Sequence, residues 1–255
     1  MPGISLESVI AATYCPDDGI ADPGGLTQGY AAAATRAGAR IRTGTEVVGI
    51  DVDGGRVRGV RTSAGDVATR AVVNAAGPWA GPLADSAGVE LPLEPIPRMV
   101  VTTGPFPGAP ARRTLVIDAA TSFYLHREGE GVLMGMGGVD ERPSFSLRVD
   151  ERFVAEELLP AAVRVFPPIE AAGVASSWAG LYEMTPDRHP ILGSTPVDGL
   201  WLANGFSGHG FQHAPVVGLL LAEMIVDGAA STVDVSSLGL GRFERGDLVP
   251  EAHVV

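Results

Sequence analysis

The stretch LWLANGFSGHGFQHAPVVGLLLAEM, residues 200–224, decides the fold of this chain. It contains an apolar strand-like run, a loop rich in glycine and histidine, and an apolar helix-like run. Strand, glycine loop and helix in this order are typical of α/β proteins that bind a ligand at the end of a strand. Three interpretations are open: a cofactor loop, a metal site on His209 and His213, or a turn with incidental histidines.

The glycines of this loop favour the cofactor interpretation. Gly205, Gly208 and Gly210 form G-x-x-G-x-G, the reverse order of the dinucleotide fingerprint. Glycine allows a planar or anionic ligand to approach the backbone closely, and a helix that starts there offers free N–H groups and the positive end of its dipole. The structural alternative is a glycine-rich turn between two buried elements.

A metal site is not expected. His209 and His213 are four residues apart, but Gly210 and Pro215 predict that the helix begins too late for them to share a face. His189 or Asp187 would have to supply a third ligand from a distance, and no H-E-x-x-H pattern is present.

Composition narrows the classes of partner. The 255 residues are 45% hydrophobic, and 18 basic against 30 acidic residues give a formal charge of −12. Such a chain lacks the basic surface that nucleic acids and anionic membranes require, so neither is an expected partner. Ala214–Val226, the most apolar run, is shorter than the roughly 20 residues of a membrane span. A single cysteine, Cys15, excludes an internal disulfide and is expected to be inert and packed; we expect a cytoplasmic location.

The pattern along the chain changes twice. Residues 22–38 predict a helix capped by Asp22, followed by a three-stranded meander and an apolar strand at 71–74. Residues 91–177 predict proline-punctuated strands of a mixed or antiparallel sheet, with one helix near 150–165. The chain then returns to α/β character, with a helix after the glycine loop buried on most faces and a loose segment after Ala229. The fold class is therefore α/β (α+β).

Three ordered motifs resemble one family. VVNAAGPWA (72–80), WAGLYEMTPDRHPILG (178–193) and GFSGHGFQHAPVVG (205–218) look like the FAD-dependent D-amino-acid oxidase superfamily, on its sarcosine oxidase, dimethylglycine dehydrogenase and glycine oxidase side. The resemblance implies an incomplete FAD-binding Rossmann-like domain with an inserted β-rich substrate domain. Its expected segments are a substrate-domain strand (1–16), FAD-binding parts (17–90 and 183–230), a substrate domain (91–182) and a tail (231–255).

The resemblance also implies site residues. Those expected to contact FAD are Val47, Ala75, Ala76, Gly77, Trp79, Gly205, Phe206, Ser207, Gly208, His209, Gly210, Phe211 and Gln212. Those expected to act in catalysis are Tyr124, His209 and Gln212. Tyr124 falls where related enzymes place an aromatic residue over the substrate, the alternative being a half-buried sheet tyrosine, and His126 would share its face.

For three other polar residues, a structural role is favoured over a catalytic or substrate-binding one. Arg98 is a second candidate for binding a substrate carboxylate, although a solvated arginine is the simpler interpretation. Asp187 and His189 are expected to fix the loop before PILG rather than to transfer protons.

Departures from the family pattern refine these expectations. The family's amino-terminal G-x-G-x-x-G unit is not found before Ala11, so we expect a truncated chain, a partner chain that completes the FAD site, or an inactive subunit. Gly180 stands where monomeric sarcosine oxidase carries its flavin-linked cysteine, which implies noncovalent FAD. Gln212 replaces a lysine that promotes reaction with oxygen, and Tyr182 replaces a carboxylate-binding arginine.

The expected function is oxidation of the C–N bond of a small secondary or N-methylated amine or amino acid by an FAD-dependent enzyme; the electron acceptor is open. The alternative is a truncated or degenerate noncatalytic subunit that cannot bind FAD without a partner chain. A metal-dependent hydrolase is a distant third.

Overall fold

The computed structural model describes residues 1–7, 9–138 and 141–251. Its helices and strands, in chain order, are α1 (Pro23–Arg36), β1 (Val47–Asp53), β2 (Arg56–Thr62), β3 (Val67–Ala68), β4 (Val72–Asn74), α2 (Ala80–Asp85), β5 (Glu94–Thr103), β6 (Val116–Asp118), β7 (Phe123–Glu128), β8 (Gly131–Met136), α3 (Glu151–Phe153), α4 (Leu159–Val165), β9 (Val174–Met184), β10 (Ile191–Ser194), β11 (Leu200–Asn204), α5 (Gly210–Val226) and α6 (Arg242–Arg245). The mixed α/β class expected from the sequence is confirmed.

The chain forms two compact units. The first comprises residues 1–27 and 97–181, and the second comprises residues 28–96 and the described residues from 182 onward. The chain passes from the second unit into the first at residue 97 and returns to the second at residue 182. These two crossings explain the two changes of sequence pattern.

The first unit is built on a five-stranded sheet in the order β6-β7-β8-β5-β9. The pairings β6–β7, β7–β8 and β5–β8 are antiparallel, which agrees with the expected β-rich part. Alternate residues of each strand point to one face, where they pack with the helical segment 151–165. This core contains Met99, Val101, Phe123, Leu125, Val132, Met134, Leu158, Ala162 and Phe166.

The helical segment of this unit begins as its sequence predicts. The Asp150 side chain accepts a hydrogen bond from the Phe153 N–H at 3.0 Å, which caps α3. A π-helical turn, Val154–Leu158, joins α3 to α4, so the two form one continuous helical segment.

The second unit contains two three-stranded sheets. One is the antiparallel meander β1-β2-β3, and the other has the order β10-β11-β4, in which β4 and β11 are parallel. Gly54 and Gly55 turn the chain between β1 and β2 at φ values of 58° and 74°, as a tight hairpin requires. The core between the sheets includes Ile50, Val57, Ala80, Ala84, Ile191, Leu200 and Leu202.

Helix α1 has the ends that the sequence predicts. Asp22 accepts hydrogen bonds from the Gly24 and Gly25 N–H groups at 3.2 and 2.8 Å, and Gly38 follows the helix at a φ of 98°. Helix α1 buries none of its residues.

Several local expectations were wrong. Helix α5 begins at Gly210 with Pro215 inside it, and only Val217, Leu220 and Leu221 of its residues are buried, because the chain covers just one of its faces. Described residues among 1–16 form no strand, and Cys15 is exposed rather than packed. The segment after Ala229 is not loose, since it contains α6 and the buried Arg242.

Candidate functional site

Two loops of the second unit follow the carboxyl ends of neighbouring parallel strands. β4 pairs with β11 in the register Val72↔Leu200 and Asn74↔Leu202, so residues 75–79 and 205–209 follow the two strands at the same sheet edge. Ligands of open α/β sheets bind outside the carboxyl ends of the strands. The sequence-predicted cofactor residues of both loops therefore come together at one edge.

The first loop is shaped by a buried asparagine. The Asn74 amide donates to the Ala80 carbonyl at 2.9 Å, and its oxygen accepts the Ala76 N–H at 3.1 Å. Gly77 has a φ of 56°, and a Cβ placed there would meet no atom within 4 Å. The loop thus leaves open space beside Gly77, next to Trp79, which is 52% exposed.

The second loop is packed tightly on the end of β9. Gly205, Ser207 and Gly208 have φ values of 72°, 51° and 97°. A Cβ at Gly205 would collide with Thr185, and one at Gly208 would lie 2.5 Å from the Tyr182 ring. Glycine is therefore required at both positions by backbone conformation and by lack of space.

Hydrogen bonds fix this loop to the same strand. The Ser207 N–H donates to the Glu183 carbonyl at 3.2 Å, and the Thr185 N–H donates to the Ser207 hydroxyl at 3.3 Å. The Phe206 N–H donates to Glu183 Oε1 at 3.3 Å. Ser207 is fully buried, so water does not compete for its hydrogen bonds. The sequence motifs include both the glycine loop and the end of β9, but they did not predict the contacts between these two segments.

The start of α5 has no side-chain cap among the described residues. His209 precedes the helix and makes no such hydrogen bond. The first N–H groups of a helix have no acceptor within it, and they carry the positive end of the helix dipole. Phe211 and Gln212, in this first turn, are exposed. This end of the helix can hold a negatively charged or electron-rich ligand edge.

The two histidines of the loop do share a face, contrary to the expectation drawn from Pro215. The rings of His209 and His213 are stacked with centroids 6.0 Å apart, and His213 lies 6.4 Å from the Phe206 ring. Burial, and then the charge of His209, lower the pKa of His213, so that imidazole is neutral at pH 7. Within the described ranges, no group of three or more His, Cys, Asp or Glu side chains has the arrangement of a metal site.

Two polar side chains beside the loop have unsatisfied atoms. Among the described residues, Glu183 Oε2 and both amide atoms of Asn204 are buried without a hydrogen-bond partner. Burial raises the pKa of Glu183, and hydrogen bonds from the Gly205 and Phe206 backbone oppose that rise. Buried polar groups without partners are uncommon, and they concentrate at functional sites.

A buried ion pair anchors the loop before β10. Arg242 donates to Asp187 through Nε at 2.7 Å and Nη2 at 2.9 Å, and the two side chains are 2% and 1% exposed. Burial tends to raise the pKa of Asp187, but bonds from Arg242, the His189 backbone and Thr185 together lower it. Asp187 thus has the structural role expected for it, while the role of Arg242 was missed because no local pattern links residues 55 positions apart.

The first unit contains the remaining catalytic candidate. Tyr124 pairs with Gly135, where a Cβ would collide with the tyrosine ring, so glycine makes room for this side chain. His126 lies on the same face, as expected from strand alternation. Arg98 is only 8% exposed and pairs with Glu141, so the solvated arginine of the sequence interpretation was wrong.

Val47 begins β1 and is 40% exposed. It belongs to the second unit, like every other residue expected to contact the cofactor. The open space at Gly77 and the start of α5, which has no side-chain cap among the described residues, fit a ligand with negative charge.

No described helix is both long enough and apolar enough to cross a membrane.

Comparison with known proteins also indicates a protein that binds a flavin cofactor. A family model described as DAO, FAD dependent oxidoreductase, matches residues 1–224. Sarcosine oxidase subunit beta of Arthrobacter sp is 32% identical over 243 residues, covering 95% of this chain and 59% of the relative. Human mitochondrial sarcosine dehydrogenase is 31% identical over 260 residues, covering 96% of this chain and 28% of the relative. The chain thus spans well under two thirds of these curated relatives.

Solved structures share the fold. L-proline dehydrogenase from P.horikoshii superposes with a TM-score of 0.90 at 33% identity, covering 97% of this chain and 67% of the other. Glycine oxidase from Geobacillus kaustophilus superposes with a TM-score of 0.75 at 31% identity, covering 85% and 57% of the two chains.

Proposed function

Because the chain belongs to the DAO family of FAD-dependent oxidoreductases, we propose that it forms part of an enzyme that oxidises the C–N bond of a small amine or amino acid. The observation that carries this proposal is the meeting of residues 75–79 and 205–209 at one sheet edge, beside the uncapped start of α5. Ligands of open α/β sheets bind outside the carboxyl ends of the strands, and helix starts bind anions, which supports FAD binding at this place.

The chain's own residues bind and orient the cofactor. Residues 75–79 line the path of the ribose and phosphate region with backbone and with Trp79, and Val47 adds backbone contact on the adenine side. The Gly205–Gln212 segment would hold the flavin ring. The chemistry that a bound flavin would supply is acceptance of a hydride equivalent from the carbon next to the substrate nitrogen. The start of α5 stabilises negative charge on the adjacent ring edge.

The loop chemistry favours noncovalent binding of FAD. Gly180, in β9, supplies no thiol for a covalent link.

Gln212 offers an amide without positive charge in the first turn of α5. A neutral amide gives no electrostatic help to reaction with oxygen, which supports a dehydrogenase over an oxidase.

We propose a secondary or N-methylated amine or amino acid, sarcosine-like in size, as substrate. Support comes from the similarity to a sarcosine oxidase subunit and a sarcosine dehydrogenase. Tyr182 replaces a carboxylate-binding arginine and packs on Gly208, so it supplies no bidentate clamp there. Tyr124 is proposed to contact the substrate, with His209 as a hydrogen-bonding partner of flavin or substrate.

A further polypeptide is proposed to complete the FAD site. β4 has one neighbour, β11, among the described strands, and Val73 on β4 is exposed. Helix α1 buries nothing, and Leu219 and Val226 of α5 are exposed. An open strand edge and exposed apolar helix residues are surfaces that soluble proteins normally cover.

The visible spectrum of the purified chain, recorded before and after addition of FAD, tests the function. We expect flavin absorbance to remain with the protein after gel filtration and to bleach anaerobically with sarcosine or proline. A protein that never retains FAD, even when coexpressed with the adjoining polypeptide, would refute the proposal. Bound zinc by elemental analysis would instead support metal-dependent chemistry.

A further inference from the structure

Glu183, at the end of β9, holds the glycine loop in two ways. Its carbonyl oxygen accepts the Ser207 N–H at 3.2 Å, and its carboxyl Oε1 accepts the Phe206 N–H at 3.3 Å. Glu183 therefore fixes two consecutive peptide groups of the loop. Of these two hydrogen bonds, only the one from the Phe206 N–H to the carboxyl group can be changed by protonation or substitution of the side chain.

The other carboxyl oxygen, Oε2, is buried and has no hydrogen-bond partner among the described residues. An ionised carboxyl with one unpaired buried oxygen is far less stable than its neutral form, because the charge loses its hydration without compensation. Burial accordingly raises the pKa of Glu183 against the two backbone bonds that lower it.

Neighbouring charged groups do not compensate a negative Glu183. On the strand side, Arg242 is already paired with Asp187. On the side of the loop and α5, burial lowers the pKa of His213, which disfavours a positive charge on that ring.

We propose that Glu183 is a positioning residue that works in its neutral form: it holds the Phe206 N–H while keeping a negative charge away from the loop that faces the flavin. The inference rests on the proposed function and deepens it. It predicts that the loop is best ordered, and binds FAD most tightly, when the Glu183 carboxyl carries a proton.

The physical reason is the sign of the nearby field. The start of α5 carries the equivalent of about half a positive charge, which attracts an anionic ligand. An ionised carboxylate bound to the Phe206 N–H, four residues before Gly210, would oppose that attraction. The pKa of Glu183 is raised on folding. The contribution of this carboxyl group to the stability of the folded chain is therefore complete below its ordinary pKa of 4.5, and it is lost as pH rises through the pKa of the folded chain.

Amide hydrogen exchange of the purified chain without FAD tests the positioning role. Glu183→Gln keeps an oxygen that accepts the Phe206 N–H but has no charge, whereas Glu183→Ala removes the acceptor. We expect protection of the Phe206 amide in the parent chain to fall about threefold or more between pH 5 and pH 8. E183Q should match the parent at pH 5 and stay constant, and E183A should lose protection about tenfold at both pH values. Glu90→Gln, at an exposed position of the same unit, should behave like the parent.

Equal pH profiles for the parent and E183Q would overturn the neutral-form proposal, and unchanged protection in E183A would overturn the positioning role. If E183A does not fold, the comparison of the parent with E183Q still decides the matter.

Fluorescence titration with FAD, together with any adjoining polypeptide needed for binding, provides the second readout. E183Q should bind FAD like the parent at pH 5 and about threefold or more tightly than the parent at pH 8. Weaker binding by E183Q at both pH values would contradict the proposal. If no variant binds FAD, the proposed function fails, while the exchange profiles by themselves still support or overturn the role of Glu183 in the loop.

Discussion

Gly208 illustrates how a single position can constrain the candidate site. Its φ is 97°, and a side chain there would lie 2.5 Å from the Tyr182 ring. The glycine spacing predicted a ligand loop, but only the folded chain shows that Tyr182 supplies the opposing surface.

Gly208→Ala should therefore destabilise the chain by roughly 1–3 kcal/mol and weaken FAD binding, since both backbone strain and overlap disfavour the alanine. Urea unfolding and FAD titration measure the two effects. Gly218→Ala is the matched control: Gly218 lies inside α5 with no atom within 4 Å of a Cβ, so alanine should stabilise by up to about 1 kcal/mol. Equal effects of the two substitutions would contradict this assignment.

Gln212 is the residue whose replacement should change the electron acceptor. It is exposed in the first turn of α5, so Gln212→Lys introduces a positive charge without a packing penalty. We expect reoxidation of the reduced protein by oxygen to become about tenfold faster or more, measured by stopped-flow absorbance. Gln28→Lys on exposed α1 should leave the rate unchanged. An unaltered rate in Q212K would remove the support for a dehydrogenase that Gln212 provides.

At the scale of elements, two asparagines at the ends of neighbouring parallel strands have different surroundings. Asn74 at the end of β4 makes two hydrogen bonds that shape residues 75–79. Asn204 at the end of β11 is equally buried, and neither of its amide atoms has a partner among the described residues.

Asn74→Ala should accordingly destabilise by about 1–3 kcal/mol, because the Ala76 N–H and Ala80 carbonyl lose their partners. Asn204→Ala should cost less than Asn74→Ala in the absence of FAD, because it removes an unpaired polar group together with its packing. Urea unfolding under identical conditions compares the two. A larger loss at Asn204 would show that its amide is already hydrogen-bonded, for instance to buried water.

The ion pair between α6 and the loop before β10 should set the acid stability of the second unit. Arg242→Leu leaves a buried carboxylate without its partner and should cost about 3–5 kcal/mol. Arg245→Leu breaks an exposed pair with Asp247, whose side chains are 60% and 62% exposed, and should cost about 0–1 kcal/mol. Similar losses in thermal or urea unfolding would contradict the role of Arg242.

The pH dependence of this pair has a definite sign. The pKa of Asp187 is lowered in the folded chain, so the stabilisation is present above its ordinary value of 3.8 and is lost as pH falls toward the folded value. Unfolding free energies measured between pH 6 and pH 2 should decrease less steeply in Asp187→Asn than in the parent chain.

At the scale of the whole molecule, each unit has its own buried core, but the second unit also exposes apolar residues. Val73 on the open edge of β4 and Leu219 and Val226 on α5 are exposed. The sequence predicts that α5 is buried on most faces, and its apolar composition is consistent with a further polypeptide that covers it.

We expect the isolated chain to self-associate or to bind such a polypeptide. Leu219→Gln should reduce self-association without loss of folding, because Leu219 is 49% exposed, whereas Leu220→Gln should unfold the chain because Leu220 is 3% exposed. Sizing chromatography with light scattering measures the distribution. A monodisperse monomer for the parent chain at high concentration would contradict this expectation.

Local sequence patterns determined most elements of this protein and the location of its glycine loop. The patterns that act within a few residues are alternating apolar residues, aspartates at helix starts (Asp22 and Asp150) and glycines at turns. Their effects can be predicted from the sequence without knowledge of the tertiary structure. Tertiary structure alone decided that α5 buries one face, that Arg242 pairs with Asp187, and that Glu183 supports the loop with one oxygen unsatisfied. Those outcomes depend on contacts between distant segments and on the loss of hydration at buried groups, which no local pattern records.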